Sequence, residues 1–349
     1  MSPRALVFVG VYGLISMFAC SSSSDDGGAS ATTVDAKDSG ARDAKVATDS
    51  GSSSSDASSS PTDASTNDSG AGDAKADVIE ASSGVVTCSA VTSFPAILLT
   101  PEASSAAEVE LTSGVRELIV VSDSGNGGKA LLIGIPGGAT RSLTLPLDDK
   151  ASDDLEGSAW RDQHLYTLTS SGAVRRFSPD GKGGLARDQD VYAIGPAPYA
   201  CSDLMGINCG KNYEGLCLRA SSISAKCAGY AASKAEGKLY CVTVDGAGKL
   251  AVDTSASPID LGIPADQLSD CAFGAPGGPA EHVLIVGVNV GGGSKTYRVD
   301  EATGKLTVLN IASLLNEEAA AIDKDGSLYA FDDNNYGVSG AAKATCSGW

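Results

Sequence analysis

The chain has 349 residues, a formal net charge of −18 and a pI near 4.4. A protein this acidic is repelled by phosphate backbones, so nucleic acid is excluded as an expected partner. The length leaves room for at most two ordinary domains.

The first 19 residues predict a signal peptide. Arg4 precedes an uncharged stretch from Ala5 to Ala19 that is too short to span a bilayer. The next residue, Cys20, completes a Met-Phe-Ala-Cys sequence that resembles the lipobox of bacterial lipoproteins. This resemblance implies cleavage before Cys20, lipidation of its thiol and attachment to a membrane. An ordinary secreted protein is the alternative. By the sorting rule of such lipoproteins, Ser21 after the cysteine implies a cell-envelope protein of the outer membrane.

Residues 20–84 predict a disordered tether behind the lipidated cysteine. No aromatic residue occurs between Ser21 and Gly84, and Asp-Ala-Lys or Asp-Ala-Ser recurs through the segment. Such a composition buries too little apolar surface to offset chain entropy. We therefore expect a solvated spacer that carries a folded head, residues 85–349, away from the membrane.

The cysteines predict a disulfide-stabilised head. Besides Cys20 there are eight, an even number that is typical of bridges in exported domains. Cys201 and Cys209 enclose a short Gly-containing loop and are expected to pair. Cys88 and Cys346 both occur in a Thr-Cys-Ser context near the two ends of the head, and we expect them to pair as well. The remaining four, Cys217, Cys227, Cys241 and Cys271, allow three pairings, and all three stay open.

A repeated pattern predicts the architecture of the head. An acidic or Ser-Asp start is followed by a short apolar run, a turn and another apolar strand, and the pattern returns at intervals of roughly 50 residues. Short strands with Gly and Asp turns at this period are typical of four-stranded propeller blades. We predict an all-β, five-bladed β-propeller, with six blades as the alternative count. In the third repeat, residues 219–237 are interpreted as an insertion. Residues 311–322 are open to a short helix instead of a strand.

The repeat starts also predict a site. The first strand of a propeller blade lines the central channel, so the acidic starts are expected to form a ring around the axis. Converging carboxylates repel one another unless they share protons or bind a cation, and Ca²⁺, which takes 6 to 8 oxygen ligands, suits such a ring better than Zn²⁺. Gly157 and Gly215 would let neighbouring backbones approach near the axis. The predicted Ca²⁺ ligands are Glu108, Glu156, Glu214, Ser269 or Asp270, and Glu318. Solvated strand starts without an ion are the alternative.

These strand starts carry a family resemblance. The Glu-Gly-x-x-apolar pattern, seen at Glu156 and Glu214, resembles the SdiA-regulated and esterase-like phytase propellers. A five-fold ring with Glu and Ser facing the axis is similar to the calcium-activated nucleotidases, or apyrases. The resemblance implies a central Ca²⁺ and, for apyrases, hydrolysis of nucleoside phosphates. The sequence shows no cluster of Arg and Lys placed to hold phosphates, so no catalytic residue is carried over.

Two functions follow as hypotheses. One is a monomeric, membrane-anchored head that binds a protein or small molecule at a propeller face. The other is a metal-dependent hydrolase of phosphate or sugar esters. Cationic side chains clustered opposite the ring would favour the hydrolase, whereas their absence would favour binding.

Overall fold

The computed structural model describes residues 85–349 except 137, 292, 312–313 and 334–337. The predicted signal peptide, Cys20 and the tether lie outside the described residues. Within the described part there are strands and turns but no helix, and in particular no helix long and apolar enough to cross a membrane.

The described residues contain twenty-three strands. Two short strands come first: β1 (Thr87–Ala90) and β2 (Ile97–Leu98). Blade 1 contains β3 (Ala103–Thr112), β4 (Val115–Ser122), β5 (Lys129–Gly134) and β6 (Thr140–Thr144). Blade 2 contains β7 (Leu155–Arg161), β8 (His164–Thr169), β9 (Ala173–Pro179), β10 (Leu185–Arg187) and β11 (Tyr192–Ala193). Blade 3 contains β12 (Tyr213–Leu218), β13 (Gly229–Ser233), β14 (Lys238–Val244), β15 (Leu250–Val252) and β16 (Ile259–Asp260). Blade 4 contains β17 (Leu268–Phe273), β18 (Leu284–Val290), β19 (Gly293–Val299) and β20 (Leu306–Val308). Blade 5 contains β21 (Glu317–Ile322), β22 (Ser327–Asp332) and β23 (Ser339–Ser347).

Five antiparallel sheets form the five blades of a β-propeller, as the repeats predict. The innermost strands β3, β7, β12, β17 and β21 contact one another in sequence, and β21 returns to β3. The fifth sheet is completed by β1, which pairs with β23 and places Cys88 opposite Cys346. The two ends of the described chain thus close the ring.

The apolar core lies between the blades. Five buried clusters are present, one at each junction between neighbouring blades. Strand β4 shows the reason: Leu118 and Val120 pack towards blade 5, whereas Ile119 and Val121 pack towards blade 2. Because successive side chains of a strand point to opposite faces, a strand buried on both faces must be apolar throughout.

Both predicted disulfides are confirmed, Cys88–Cys346 and Cys201–Cys209. The four cysteines left open pair as Cys217–Cys271 and Cys227–Cys241. The first of these bridges joins the innermost strands of blades 3 and 4.

One interpretation of the sequence is corrected, and one alternative that it left open is decided in favour of the predicted strand. Residues 219–237 are not an insertion in a turn, because they contain β13, the second strand of blade 3. Its Gly-Tyr-Ala-Ala-Ser sequence is short of large apolar residues, so the Leu239–Tyr240 pair of β14 was mistaken for the second strand. Residues 317–322 form β21, an innermost strand and not a helix.

Candidate functional site

Each innermost strand begins with a β-bulge that skips one residue in its pairing with the second strand. The register shifts between residues 103 and 105, 155 and 157, 213 and 215, 268 and 270, and 317 and 319. Bulges next to functional sites commonly re-aim a side chain. The residues at these five bulges, which we term the bulge ring, are Ser104, Glu156, Glu214, Ser269 and Glu318.

Glycines after two of the bulges let the innermost strands pack closely. A β-carbon on Gly157 would lie 2.5 Å from the backbone nitrogen of Leu216, and one on Gly215 would lie 2.6 Å from that of Cys271. No side chain fits at such distances. The prediction that these two glycines allow close backbone approach near the axis is confirmed.

Two further sets of polar residues accompany the bulge ring. The first set stands two positions before each bulge. The second set stands at the end of the second strand of the same blade or directly after it. In blades 1, 3, 4 and 5 the backbone N–H of the second-strand residue donates to the backbone carbonyl of the residue that precedes the bulge, at 2.7 to 2.9 Å. The preceding residues are Glu102, Asp154, Asn212, Gln267 and Asn316. The second-strand residues are Asp123, Ser170, Lys234, Asn289 and Asp333. Together with the bulge ring, these positions define what we call the channel mouth.

The structure places the predicted ligands unevenly. Glu156, Glu214 and Glu318 lie in the bulge ring as expected. Glu108 does not: it lies in the middle of β3, with Oε1 2.6 Å from Nε of Arg116, and Ser104 takes its ring position. The correction arises because the Glu of blade 1 stands four residues after the bulge.

Blade 4 contributes Ser269 to the bulge ring. Asp270 is instead fully buried in the next position, and one of its carboxylate oxygens accepts a hydrogen bond from the backbone N–H of Ala320 at 2.6 Å. This bond joins the innermost strands of blades 4 and 5. Asp270 therefore links two strands and is not part of the bulge ring.

An all-carboxylate cluster lies on the side of blades 1 and 2. One oxygen from each of Asp123, Asp154 and Glu156 lies within 4.8 Å of the others. Asp154 accepts a hydrogen bond from the hydroxyl of Ser170. Glu156 is 5% exposed, and its carboxylate has no hydrogen bond or ion pair within the described residues. A buried acid without a partner carries a large desolvation cost.

On the side of blades 3 and 5, a lysine meets the carboxylates. Nζ of Lys234 lies 3.0 Å from Oε2 of Glu214 and 3.9 Å from Oε1 of Glu318. Asn316 donates a further hydrogen bond to Glu318 at 3.1 Å. Lys234 therefore offsets the repulsion between these carboxylates through its own positive charge. This is a third possibility beside the bound cation and the proton sharing expected from the sequence.

Burial dominates the electrostatics of these acids. It raises the pKa of Glu156 well above its usual range, and the nearby Glu214 and Asp123 charges add to the rise. Burial also raises the pKa of Glu214 to about 8 and that of Glu318 to about 7, although Lys234 opposes both shifts. The pKa of Asp154 rises to about 6, again chiefly through burial, while Ser170 lowers it. The channel mouth thus favours protons or a cation.

Sequence reasoning missed Asp123, Asp154 and Lys234. A signal was present for Asp154, because a polar residue stands two positions before the bulge in all five blades. Asp123 and Lys234 follow second strands, and no repeated residue type marks those positions.

No family model and no curated protein matches this sequence. The chain is similar in structure to the glutaminyl cyclase of Myxococcus xanthus, with 13% identity, a TM-score of 0.43, and coverage of 75% of this chain and 98% of that one. A glucose dehydrogenase has 12% identity and a TM-score of 0.39, with coverage of 71% of this chain and 99% of that one. Virginiamycin B lyase of Staphylococcus aureus has 12% identity and a TM-score of 0.33, with coverage of 70% of this chain and 82% of that one. The fold assignment rests on the strand pairing above, and these likenesses carry no argument about function. The resemblance to phytase and nucleotidase propellers stays a prediction.

Proposed function

We propose that this protein is a cell-envelope binding protein, anchored through lipidated Cys20, whose propeller head holds a Ca²⁺ ion at Asp123, Asp154 and Glu156. The observation that carries the proposal is the unpartnered, buried carboxylate of Glu156 beside two other acids. Two oxygens on opposite sides of a Ca²⁺ ion are separated by roughly 4.6 to 5.2 Å, since each bond is 2.3 to 2.6 Å long. The three oxygens of the cluster lie within 4.8 Å of one another, inside the upper limit of roughly 5.2 Å for two ligands of one ion.

The donor atoms favour a hard cation. The cluster offers only carboxylate oxygens, whereas Zn²⁺ prefers nitrogen and sulfur ligands in tetrahedral geometry. Ca²⁺ tolerates irregular sets of 6 to 8 oxygens, and ligand or water oxygens would complete its shell. Neutralising the cluster in this way also removes the cost of the buried Glu156 charge.

The hydrolase alternative has less support. Lys234 is the cation of the channel mouth, and two carboxylates already engage it. It is therefore poorly placed to hold a phosphate group. The four disulfides fit an extracytoplasmic protein, in line with a displayed binding head.

Two experiments test the proposal. Isothermal titration of the purified full-length protein with Ca²⁺ is expected to show one site, lost in Glu156→Gln and kept in the matched surface variant Glu281→Gln. Retention of Ca²⁺ binding by Glu156→Gln would reject the site. Separately, Cys20→Ala is expected to move the protein from the membrane pellet to the soluble fraction, and continued pelleting would reject the anchor.

A further inference from the structure

Exposed apolar side chains are concentrated on the face of the head that carries the channel mouth. Among the described residues, eight large apolar side chains are exposed, and five of them lie in the connections that lead into three innermost strands. The four of these that lie outside the strands, which we term the apolar rim, are Leu99, Met205, Ile207 and Leu315. Their exposed fractions are 81%, 52%, 51% and 85%. Large exposed apolar side chains grouped on one face mark interaction sites more often than scattered single ones do.

Hydrogen bonds connect each part of the rim to the channel mouth. Next to Leu99, the hydroxyl of Thr100 lies 3.2 Å from that of Ser122, which directly precedes Asp123. Next to Leu315, Asn316 donates to Glu318. The residues that follow Leu99 and Leu315 in the chain are therefore hydrogen-bonded at the channel mouth.

The rim residues of blades 2 and 3 lie on a fixed loop. Met205 and Ile207 belong to the loop closed by the Cys201–Cys209 disulfide. The carbonyl of Leu204 accepts from the backbone N–H of Ser152 at 3.0 Å. The N–H of Asn208 donates at 2.9 Å to the hydroxyl of Ser170, which in turn donates to Asp154. A loop held in this way loses little conformational entropy when it binds.

The charge of the channel mouth selects the occupant. Its acids outnumber its one lysine, Lys234, so the mouth keeps a net negative charge even though burial favours the protonated form of Glu156 and Glu214 at neutral pH. The acids of the mouth are Glu102, Asp123, Asp154, Glu156, Glu214, Glu318 and Asp333. Electrostatic complementarity therefore requires a positive group at the centre and apolar groups around it.

We propose that this face docks a protein partner that inserts a Lys or Arg side chain into the channel mouth while its neighbouring apolar side chains cover the rim. The aliphatic stem of such a side chain can pass the apolar rim while its charged end reaches the acids. An anionic membrane surface lacks the positive group, and a second copy of this acidic chain would be repelled. The inference stands whether or not Ca²⁺ is bound.

The test uses a displayed library of random twelve-residue peptides, selected on the purified full-length protein in Ca²⁺ and in chelator. We expect enrichment of peptides that carry Lys or Arg between apolar residues. The affinity of the selected peptides is expected to fall at least tenfold in Met205→Ser/Ile207→Ser and in Leu315→Ser. It is expected to fall similarly when the basic residue of the peptide is replaced by Gln. Val308→Ser is the matched control, since Val308 is 50% exposed on the outer strand β20, and it is expected to leave binding unchanged.

Several results would overturn the proposal. They are failure to enrich peptides, enrichment of peptides without a basic residue, and equal binding by the rim variants. Rim-dependent binding to phosphatidylglycerol vesicles, or rim-dependent dimerisation in sedimentation, would also overturn it. Calcium titration of the rim variants separates the two proposals, because these variants are expected to bind Ca²⁺ like the wild type. Loss of the calcium site with retained peptide selectivity would reject the proposed function alone.

Discussion

The buried acids on the two sides of the channel mouth have different partners. On the side of blades 3 and 5, Glu214 and Glu318 share the ammonium of Lys234. On the side of blades 1 and 2, Glu156 lies against Asp123 and Asp154 and forms no ion pair among the described residues, although its charge reaches Lys234 and raises the pKa of that lysine. The same bulge thus places a carboxylate on both sides, but only the side of blades 3 and 5 has a direct ion pair with a lysine. The difference teaches that the second-strand residue of each blade, and not the bulge residue alone, decides which acids are left for an external ion.

The largest effect is expected from removing the internal cation. Lys234→Met leaves Glu214 and Glu318 buried without a counter-charge, and breaking a buried pair from one side is strongly destabilising. We expect a loss of about 3 kcal/mol in the free energy of unfolding, measured by urea denaturation at pH 8. Lys150→Met, which breaks an exposed ion pair with Asp190, is the control and is expected to cost under about 1 kcal/mol. Equal losses in both variants would contradict the role of Lys234.

A further buried acid sharpens the comparison, because Glu317 forms no ion pair among the described residues and its acidic neighbour is the buried Asp270. Glu317 is fully buried and accepts a hydrogen bond from the hydroxyl of Thr296 at 2.9 Å. Burial raises its pKa from 4.5 to about 7, although that hydrogen bond lowers it. The folded state therefore holds a proton that the unfolded state has released between these pH values. Stability is expected to fall as the pH rises through this window and to stay low above it.

Glu317→Gln tests that dependence. Relative to the wild type, the variant is expected to gain on the order of 2 to 3 kcal/mol at pH 8 and little at pH 4.5. Glu214 and Glu318 also titrate in this range, but both proteins contain them, so the difference reports Glu317 together with its electrostatic coupling to Asp270. A difference that does not change with pH would show that its carboxyl keeps an ordinary pKa.

A smaller effect is expected at the edge of the acid cluster. Asp123 is only half-buried, so Asp123→Asn is expected to weaken Ca²⁺ affinity about tenfold, or about 1.4 kcal/mol, without abolishing binding. Asp325→Asn removes an exposed acid that pairs with Arg116 and is expected to leave the affinity unchanged. Calcium titration calorimetry measures both, and equal affinities in the two variants would place the ion elsewhere.

Sequence patterns predicted the propeller because its requirements are local and repeated. Apolar strands at a fixed period, cysteines at the ends and the Gly after Glu156 each have one simple physical reason. The five blades, the ring closure and Cys88–Cys346 followed from them. Glu156, Glu214 and Glu318 were found because a carboxylate at a strand start is conspicuous.

The remaining site residues depend on pairing between strands, which a single sequence does not display. Glu108 resembles the other ring acids in its local sequence, but the bulge of β3 lies four residues earlier, at Ser104. Lys234 follows β13, whose small residues hid the strand itself. Which acids a lysine neutralises is a property of register and packing, so the asymmetry of the channel mouth could not be predicted.

The central claim is that the Glu156 carboxylate is a ligand of a bound Ca²⁺ ion. Thermal melting of the full-length protein with Ca²⁺ and with chelator tests this claim most directly. For the wild type, the account predicts a higher midpoint in Ca²⁺, corresponding to about 2.7 kcal/mol at a hundredfold excess over Kd. In Glu156→Gln it predicts no response to Ca²⁺ and, in chelator, a midpoint above that of the wild type, because folding no longer has to protonate the buried Glu156 carboxyl. A wild-type midpoint that is the same in Ca²⁺ and in chelator would contradict the account.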